Sequence, residues 1–126
     1  MVIYQKRSKR KPSSGRYISS EKKKLANTGS LPTFTKVGNT KVKFKREYGG
    51  SFKRSLLSAS QINVLNTKTK KIQKTEVLTV VDSPANRNFI RRNIITKGSI
   101  LETKLGKVKV TSRPGQEGML NGVLIS

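Results

Sequence analysis

Arginine and lysine side chains carry the chemistry that this sequence offers, because both bind phosphate and other anions through positive charge and N–H donors. The 126-residue chain contains 28 lysines and arginines but only six aspartates and glutamates, which gives a formal net charge of +22. Histidine and cysteine are absent. Imidazole catalysis, thiolate chemistry, disulfides and metal sites built from these ligands are therefore excluded. This composition favours the binding of a polyanion over catalysis.

The carboxylates form no recognisable catalytic or metal-binding motif. No two of them are close enough in sequence to suggest a local cluster, although folding can bring distant ones together. The positions are Glu21, Glu47, Glu76, Asp82, Glu102 and Glu117. A P-loop and a Gly-x-Ser-x-Gly motif are also missing from the sequence. We therefore expect no enzymatic activity, no metal ion, no cofactor and no small-molecule substrate.

The net charge of +22 indicates a partner that neutralises it, because like charges repel one another and destabilise a compact chain. Nucleic acid, anionic membranes and acidic proteins are the polyanions of a cell. No apolar run approaches the roughly 18 residues of a membrane span, and the start of the chain lacks the apolar stretch of a signal peptide. No segment offers an amphipathic helix with large apolar anchors. We therefore expect a cytoplasmic protein that binds nucleic acid and no membrane.

The segment before residue 31 is basic and poor in apolar residues. It holds only four of the 33 leucines, isoleucines, valines and phenylalanines. Such a segment buries too little apolar surface to offset its chain entropy, so residues 1–30 are predicted to be a disordered or extended arm. The arm either becomes ordered on phosphates or remains a solvated tail, and Tyr4 and Tyr17 either stack on bases or pack on the domain. Its candidate binding residues are Lys6, Arg7, Lys9, Arg10, Lys11, Arg16, Lys22, Lys23 and Lys24.

The rest of the chain, residues 31–126, has the period-two alternation of β-strands. In residues 40–46 this alternation places Val42 and Phe44 on one face and lysines on the other. Three hairpins are predicted. They join residues 33–37 to 40–46 through Gly38-Asn39, residues 61–65 to 71–81 around 66–70, and residues 99–104 to 107–111 through Leu105-Gly106. Residues 119–125 form a last strand, with a bulge at Asn121-Gly122.

One segment differs from this pattern. Asp82-Ser83-Pro84 is a helix-start signal, with Ser83 as N-cap and Pro84 in the first helical position, and the helix would run to about Arg92. Short strands, mostly linked by hairpins, with one helical excursion indicate a mainly all-β fold. We expect a small antiparallel closed barrel or sandwich of about six or more strands.

Two further groups of residues are candidates for binding phosphate. The first follows the strand of residues 40–46 and continues past Gly49-Gly50, and it comprises Lys41, Lys43, Lys45, Arg46, Lys53 and Arg54. Alternate side chains on a strand are about 6.6–7 Å apart, close to the phosphate spacing of a nucleic acid. The second comprises Arg87, Asn88, Arg91, Arg92 and Lys97, where forked arginine donors suit phosphates and guanine edges. The alternative interpretation of each group is an ordinary surface exposed to solvent.

Three smaller features leave alternatives open. Gly49-Gly50 permits either a close approach of RNA or a bulge. Arg113, beside the turn at Pro114-Gly115, is a further possible contact. No helix long enough to read a major groove is apparent, and the aromatic residues are scattered along the sequence. Recognition of shape and phosphate in a structured RNA is therefore favoured over DNA.

Three blocks of sequence, in order, resemble the S-eight-e family of archaeal and eukaryotic small-subunit ribosomal proteins. The first is MVIYQKRSKRKP at residues 1–12, followed by Gly15-Arg16-Tyr17. The second is NRNFIRRNIITKG at residues 86–98, and the third is TSRPGQ at residues 111–116. The short length resembles that of archaeal members. One departure is Ser13-Ser14, where members often have Thr-Gly.

This resemblance implies a small β-barrel that binds small-subunit ribosomal RNA beside neighbouring ribosomal proteins, with a basic arm that penetrates between RNA elements. By the same resemblance, the basic residues of 6–16 and 87–97 are expected to contact RNA. Two other functions remain open: a ribosome-assembly factor of the same fold and an architectural DNA-binding protein.

Overall fold

A computed structural model describes residues 8–18, 22, 24–25 and 28–125 of the chain. The strands are β1 Lys36–Val37, β2 Lys41–Arg46, β3 Phe52–Ala59, β4 Gln61–Asn66, β5 Lys71–Asp82, β6 Ile100–Thr103, β7 Gly106–Val110 and β8 Asn121–Leu124, and the helices are α1 Asn88–Arg91 and α2 Pro114–Glu117. The chain divides into two compact units, Met1–Pro32 and Thr33–Ser126, and all of these elements belong to the second. Among the described residues, no helix is long and apolar enough to cross a membrane.

Five strands form a closed barrel in the order β4-β5-β6-β7-β8, and parallel pairing of β8 with β4 completes it. The alternation of the sequence explains how each strand fills the interior. On β7, Val108 and Val110 are at most 1% exposed, while the alternating residues Lys107 and Lys109 are exposed to solvent. Ile62 and Val64 of β4 are buried in the same way. The predicted mainly β fold is confirmed, and of the two expected forms, a closed barrel or a sandwich, it is a closed barrel; its pairing of β4 with β8 is parallel, whereas an antiparallel barrel was expected.

The 12-residue strand β5 pairs with β4 along its first half and with β6 along its second half. Its register against β6 shifts between Val77 and Thr79 and again between Val80 and Asp82. Such irregularities bend a strand and increase its twist, which lets one strand follow the curve of a small barrel. They also change the side-chain alternation, because Val77 and Val80, three residues apart, are both buried.

The other three strands form a second sheet in the order β1-β3-β2. The predicted hairpin between the first two segments is wrong, because β1 pairs with β3 in parallel and β2 pairs with the other edge of β3. The linker between them bonds to β3: the Gly38 N–H donates to the Ala59 carbonyl (3.1 Å), and the Ser58 hydroxyl donates to the Asn39 carbonyl. Leu56 and Ala59 of β3 then join the barrel core.

The two later hairpins, β4–β5 and β6–β7, are confirmed. The helical excursion starts later than predicted. Ser83 does not cap a helix; it is buried, and its N–H bonds to the Asp82 carboxylate at 2.7 Å. A turn follows Ser83, and α1 begins at Asn88. The N–H of Asn88 donates to the Asn86 side-chain oxygen at 2.9 Å.

Gly122 lies in a regular stretch of β8, so the bulge predicted there is wrong. A glycine is required because the barrel wall is tight at this position. A Cβ atom added to Gly122 would lie 2.5 Å from Val108 Cγ1, 2.9 Å from the Lys109 carbonyl oxygen and 3.0 Å from Ile62 Cδ1. A side chain here would force neighbouring strands apart.

We expect Gly122→Ala to destabilise the protein by about 1–3 kcal/mol through overpacking, which lowers the melting temperature by roughly 5–20 °C. Circular dichroism during thermal unfolding measures this change. Gly15→Ala is the control, because its added Cβ would meet nothing closer than 3.8 Å. A Gly122→Ala variant that melts with the unchanged protein would contradict the close packing of β8.

Candidate nucleic-acid interface

The segment around α1 presents arginine side chains from a firmly held backbone. Arg87, Arg91 and Arg92 are exposed, whereas Ile94 and Ile95 directly after them are 0% and 2% exposed. The Ile95 N–H donates to the Thr35 carbonyl at 2.7 Å. Because buried isoleucines and strand-like hydrogen bonds hold the end of this segment, its cations project from a rigid base. We call residues 86–97 the arginine loop.

An aromatic pair orients part of the arginine loop. The rings of Phe34 and Phe89 meet edge to face, with centroids 5.8 Å apart. The Arg92 guanidinium lies 5.7 Å above the Phe34 ring, in the geometry of a cation–π interaction. Phe34 has a φ of +42°, which costs a bulky residue conformational energy. These ring contacts hold the unusual backbone in place, and through it they restrict the position of Arg92.

Phe34 was not among the residues that the sequence pointed to. Its partners Phe89 and Arg92 lie far away in the sequence, and no local pattern links them. Only the pairing of the 33–37 segment with the end of the arginine loop, through the bridge between Lys36 and Ile94, brings them together.

No carboxylate in the described part of the chain forms an ion pair with a cation of the arginine loop. Within the described part of the chain, the ion pairs join Lys53 to Glu47 (3.0 Å) and Lys104 to Glu76 (2.5 Å), both outside this loop. The Lys104 ammonium lowers the pKa of the Glu76 carboxyl through its hydrogen bond and its charge. The same described ranges contain no group of three acidic, histidine or cysteine side chains that would hold a metal ion. The exposed cations of the loop are therefore available to an external anion.

The second predicted group lies on the β2–β3 hairpin, where the register separates its members. Lys43 and Lys45 face the same side as Ser55 and Lys53, which pair directly opposite them. Arg46 and Arg54 belong to the other side. Lys41 pairs with Ser58 beyond an irregularity in the register. The group therefore forms two surfaces with different chemistry, and the lysines define a lysine face of Lys43, Lys45 and Lys53.

Glycines at the tip of this hairpin make its turn. Gly49 and Gly50 have φ values of 80° and 82°, which an L-residue rarely adopts. The turn closes with the Glu47 N–H donating to the Ser51 carbonyl at 2.8 Å. The turn conformation is sufficient to account for both glycines. The remaining predicted contact, Arg113, lies far from this turn in the sequence. It is exposed and directly precedes α2.

Residues 9–17 of the first unit form a small hairpin where the sequence predicts an extended or disordered segment. The Tyr17 N–H donates to the Lys9 carbonyl (2.8 Å), and the Lys11 N–H donates to the Gly15 carbonyl (2.8 Å). Arg10 and Arg16 pair across it. The described cations of the arm are all exposed: Lys9, Arg10, Lys11, Arg16, Lys22 and Lys24. Lys6, Arg7, Lys23 and Tyr4 lie outside the described residues.

The turn of this arm hairpin contains a strained residue. The Ser14 N–H donates to the Lys11 carbonyl at 3.1 Å across Pro12 and Ser13, as in a type I turn. Ser14 follows with a φ of +66°, the position that favours glycine in a three-residue hairpin loop. The Lys11 ammonium lies 5.4 Å from the centre of the Tyr17 ring and adds a contact across the hairpin.

The fold and the site define a class of protein, a small, strongly basic β-barrel with an anchored arginine loop and a lysine-bearing hairpin. The chain belongs to the family "Ribosomal protein S8e", whose profile matches residues 4–125. This confirms the resemblance that the three sequence blocks indicated.

Three archaeal relatives, each called "Small ribosomal subunit protein eS8", are similar over most of the chain. The protein of Methanobrevibacter smithii is 46% identical over 99% of this chain and 100% of its own length. That of Methanocorpusculum labreanum is 44% identical over 98% of this chain and 99% of its own. That of Nanoarchaeum equitans is 50% identical over 82% of both chains. These lengths agree with the predicted short, archaeal form.

We expect Ser14→Gly to stabilise the arm hairpin, because glycine removes about 1 kcal/mol of left-handed backbone strain. The amide protons of Lys11 and Tyr17 should exchange with solvent up to about fivefold more slowly, as measured by nuclear magnetic resonance. Ser13→Gly is the control, since Ser13 has no positive φ, and it should not slow exchange. Equal or faster exchange in Ser14→Gly would contradict the turn geometry.

Proposed function

We propose that the protein is a structural component of the small ribosomal subunit that binds ribosomal RNA by neutralising its phosphates. Relatives of similar length carry the name of a small-subunit protein. Its partners would be small-subunit ribosomal RNA and adjacent ribosomal proteins, and its location the ribosome in the cytoplasm. No catalytic step forms part of this role.

The observation that carries the proposal is the arginine loop. Arg87, Arg91 and Arg92 are exposed on a backbone anchored by Ile94 and Ile95, and no carboxylate pairs with them in the described part of the structure. The planar fork of a guanidinium group binds two phosphate oxygens with parallel hydrogen bonds, and an anchored backbone needs no further ordering when it does so. Such a loop suits the fixed geometry of a folded RNA.

The arm and the basic residues of the β2–β3 hairpin would add further phosphate contacts to those of the arginine loop. On this proposal residues 1–30 act as an RNA-binding arm and residues 31–126 as the barrel domain. Each phosphate contact releases counterions, so affinity should fall by roughly 0.7–0.9 log units per contact for each tenfold rise in salt. The residues proposed to contact RNA are Lys6, Arg7, Lys9, Arg10, Lys11, Arg16, Lys22, Lys23, Lys24, Lys41, Lys43, Lys45, Arg46, Lys53, Arg54, Arg87, Asn88, Arg91, Arg92, Lys97 and Arg113.

The double variant Arg87→Ala, Arg91→Ala should weaken binding to small-subunit ribosomal RNA by about 10- to 100-fold, because two charge-assisted contacts of fixed geometry are lost. Binding to an arbitrary RNA of equal length should weaken much less. The matched control is Lys107→Ala, Lys109→Ala, which removes the same charge from the exposed side of β7. Filter binding at one salt concentration compares the three proteins.

Equal losses on both RNAs would show that these arginines supply only non-specific charge. Sedimentation of cell extracts tests the cellular role independently: the protein should travel with small ribosomal subunits and stay there at moderate salt. A protein found on chromosomal DNA, with none in the ribosomal fractions, would overturn the proposed function.

A further inference from the structure

We propose that the face of the β2–β3 hairpin opposite the lysine face binds unpaired RNA bases by stacking. This aromatic face consists of Phe44, Arg46, Phe52 and Arg54. The inference rests on the proposed RNA-binding function and deepens it, because it assigns bases rather than phosphates to one defined surface.

Strand register assembles the aromatic face from residues on the two neighbouring strands of the hairpin. Phe44 pairs with Arg54, and Arg46 pairs with Phe52. Residues that pair directly across a sheet point to the same side, and so do residues two apart on one strand. The two phenylalanines therefore lie diagonally on one surface, each flanked by an arginine. Tyr48, 101% exposed, adds a third ring at the hairpin tip.

Both phenylalanines are largely open to solvent. Phe44 is 60% exposed and Phe52 is 65% exposed, whereas Leu56, on the same face nearer the barrel, is only 3% exposed. The apolar face thus begins in the core and continues outward beyond it. The alternation of β2 that predicts a core-facing side is present, but the described residues of the second unit leave the outer part of this face exposed.

Arg54 is positioned to extend a stack. Its guanidinium lies 5.8 Å from the centre of the Phe44 ring. Helix α2 ends against the same residue, since a Cβ atom added to Gly118 would lie 2.6 Å from Arg54 Cβ. The aliphatic part of Arg54 is therefore held between the helix end and the phenylalanine. A planar guanidinium beside an aromatic ring offers a surface on which nucleobases stack.

The positive charge of the hairpin favours a nucleotide over a protein segment as the ligand of the aromatic face. The hairpin from Lys41 to Arg54 contains six cations and one carboxylate, Glu47, which already pairs with Lys53. An apolar protein segment would gain little from these cations, whereas a nucleotide supplies a flat apolar base and a phosphate together. β2 is an edge strand, so an RNA strand that passes this edge has the lysine face on one side and the aromatic face on the other.

The experiment measures the dissociation constant for small-subunit ribosomal RNA across a series of salt concentrations. The double variant Phe44→Leu, Phe52→Leu should bind about 10- to 100-fold more weakly with an unchanged salt slope, because stacking releases no counterions. The double variant Lys43→Gln, Lys45→Gln should instead lower the slope by about 1.4–1.8, since two phosphate contacts are lost. Phe44→Tyr keeps the ring and should retain affinity.

Ile72→Ala is the control for the loss of an exposed apolar side chain, since Ile72 is 71% exposed on β5. The RNA affinity of this variant should not change. The leucine variants should melt close to the unchanged protein, because both phenylalanines are mostly exposed. Ultraviolet crosslinking of the unchanged protein supplies a second measurement, and nucleotides should attach to peptides that contain Phe44 or Phe52.

The outcomes separate this inference from the proposed function. If the unchanged protein fails to bind ribosomal RNA, the proposed function fails. If it binds with the expected salt slope but the leucine variants bind equally well, the stacking proposal is overturned and phosphate binding stands. Leucine variants that keep RNA affinity but lose a neighbouring ribosomal protein would overturn it in favour of a protein occupant.

Discussion

Electrostatic repulsion among 28 lysines and arginines on a chain of 126 residues is the constraint to which the rest of this structure responds. The barrel core is built from small and medium aliphatic side chains such as Val64, Val108 and Leu101, each at most 1% exposed. Such a core offers limited stabilisation, because a small domain buries a smaller share of its surface than a large one. Two ion pairs within the described residues offset little of the charge. The remaining repulsion is weakened by dissolved salt or, on the proposed function, by the phosphates of bound RNA.

The fold places its cations on three kinds of backbone, which differ in how firmly they are held. Buried isoleucines and the ring pair of Phe34 and Phe89 anchor the arginine loop, so the backbone that carries its guanidinium groups needs little ordering on contact. The β2–β3 hairpin instead places lysines on one face and phenylalanines on the other. The arm hairpin carries cations on a turn that includes the strained Ser14. Fixed groups suit specific geometry, whereas long exposed lysines suit a continuous phosphate backbone.

Sequence patterns predicted the features that depend on neighbouring residues. The β4–β5 and β6–β7 hairpins followed from alternation and a local turn, and family membership followed from three ordered blocks. Features that depend on distant pairing were missed. The parallel pairing of β1 with β3 needs hydrogen bonds from a linker to a later strand, and the contact of Phe34 with Phe89 has no local signal. Alternation in β2 identified an apolar face, but burial of that face depends on what packs above it. The individual RNA contacts remain predictions.

Thermal melting of the protein with and without small-subunit ribosomal RNA, over a range of sodium chloride concentrations, tests the central role of charge repulsion. The melting temperature of the isolated protein should rise with salt, because screening weakens repulsion between its cations. That of the complex should be higher at low salt and should fall towards the isolated value as salt displaces the RNA. An isolated protein whose melting temperature stays constant or falls with salt, together with a complex that salt does not affect, would contradict the account.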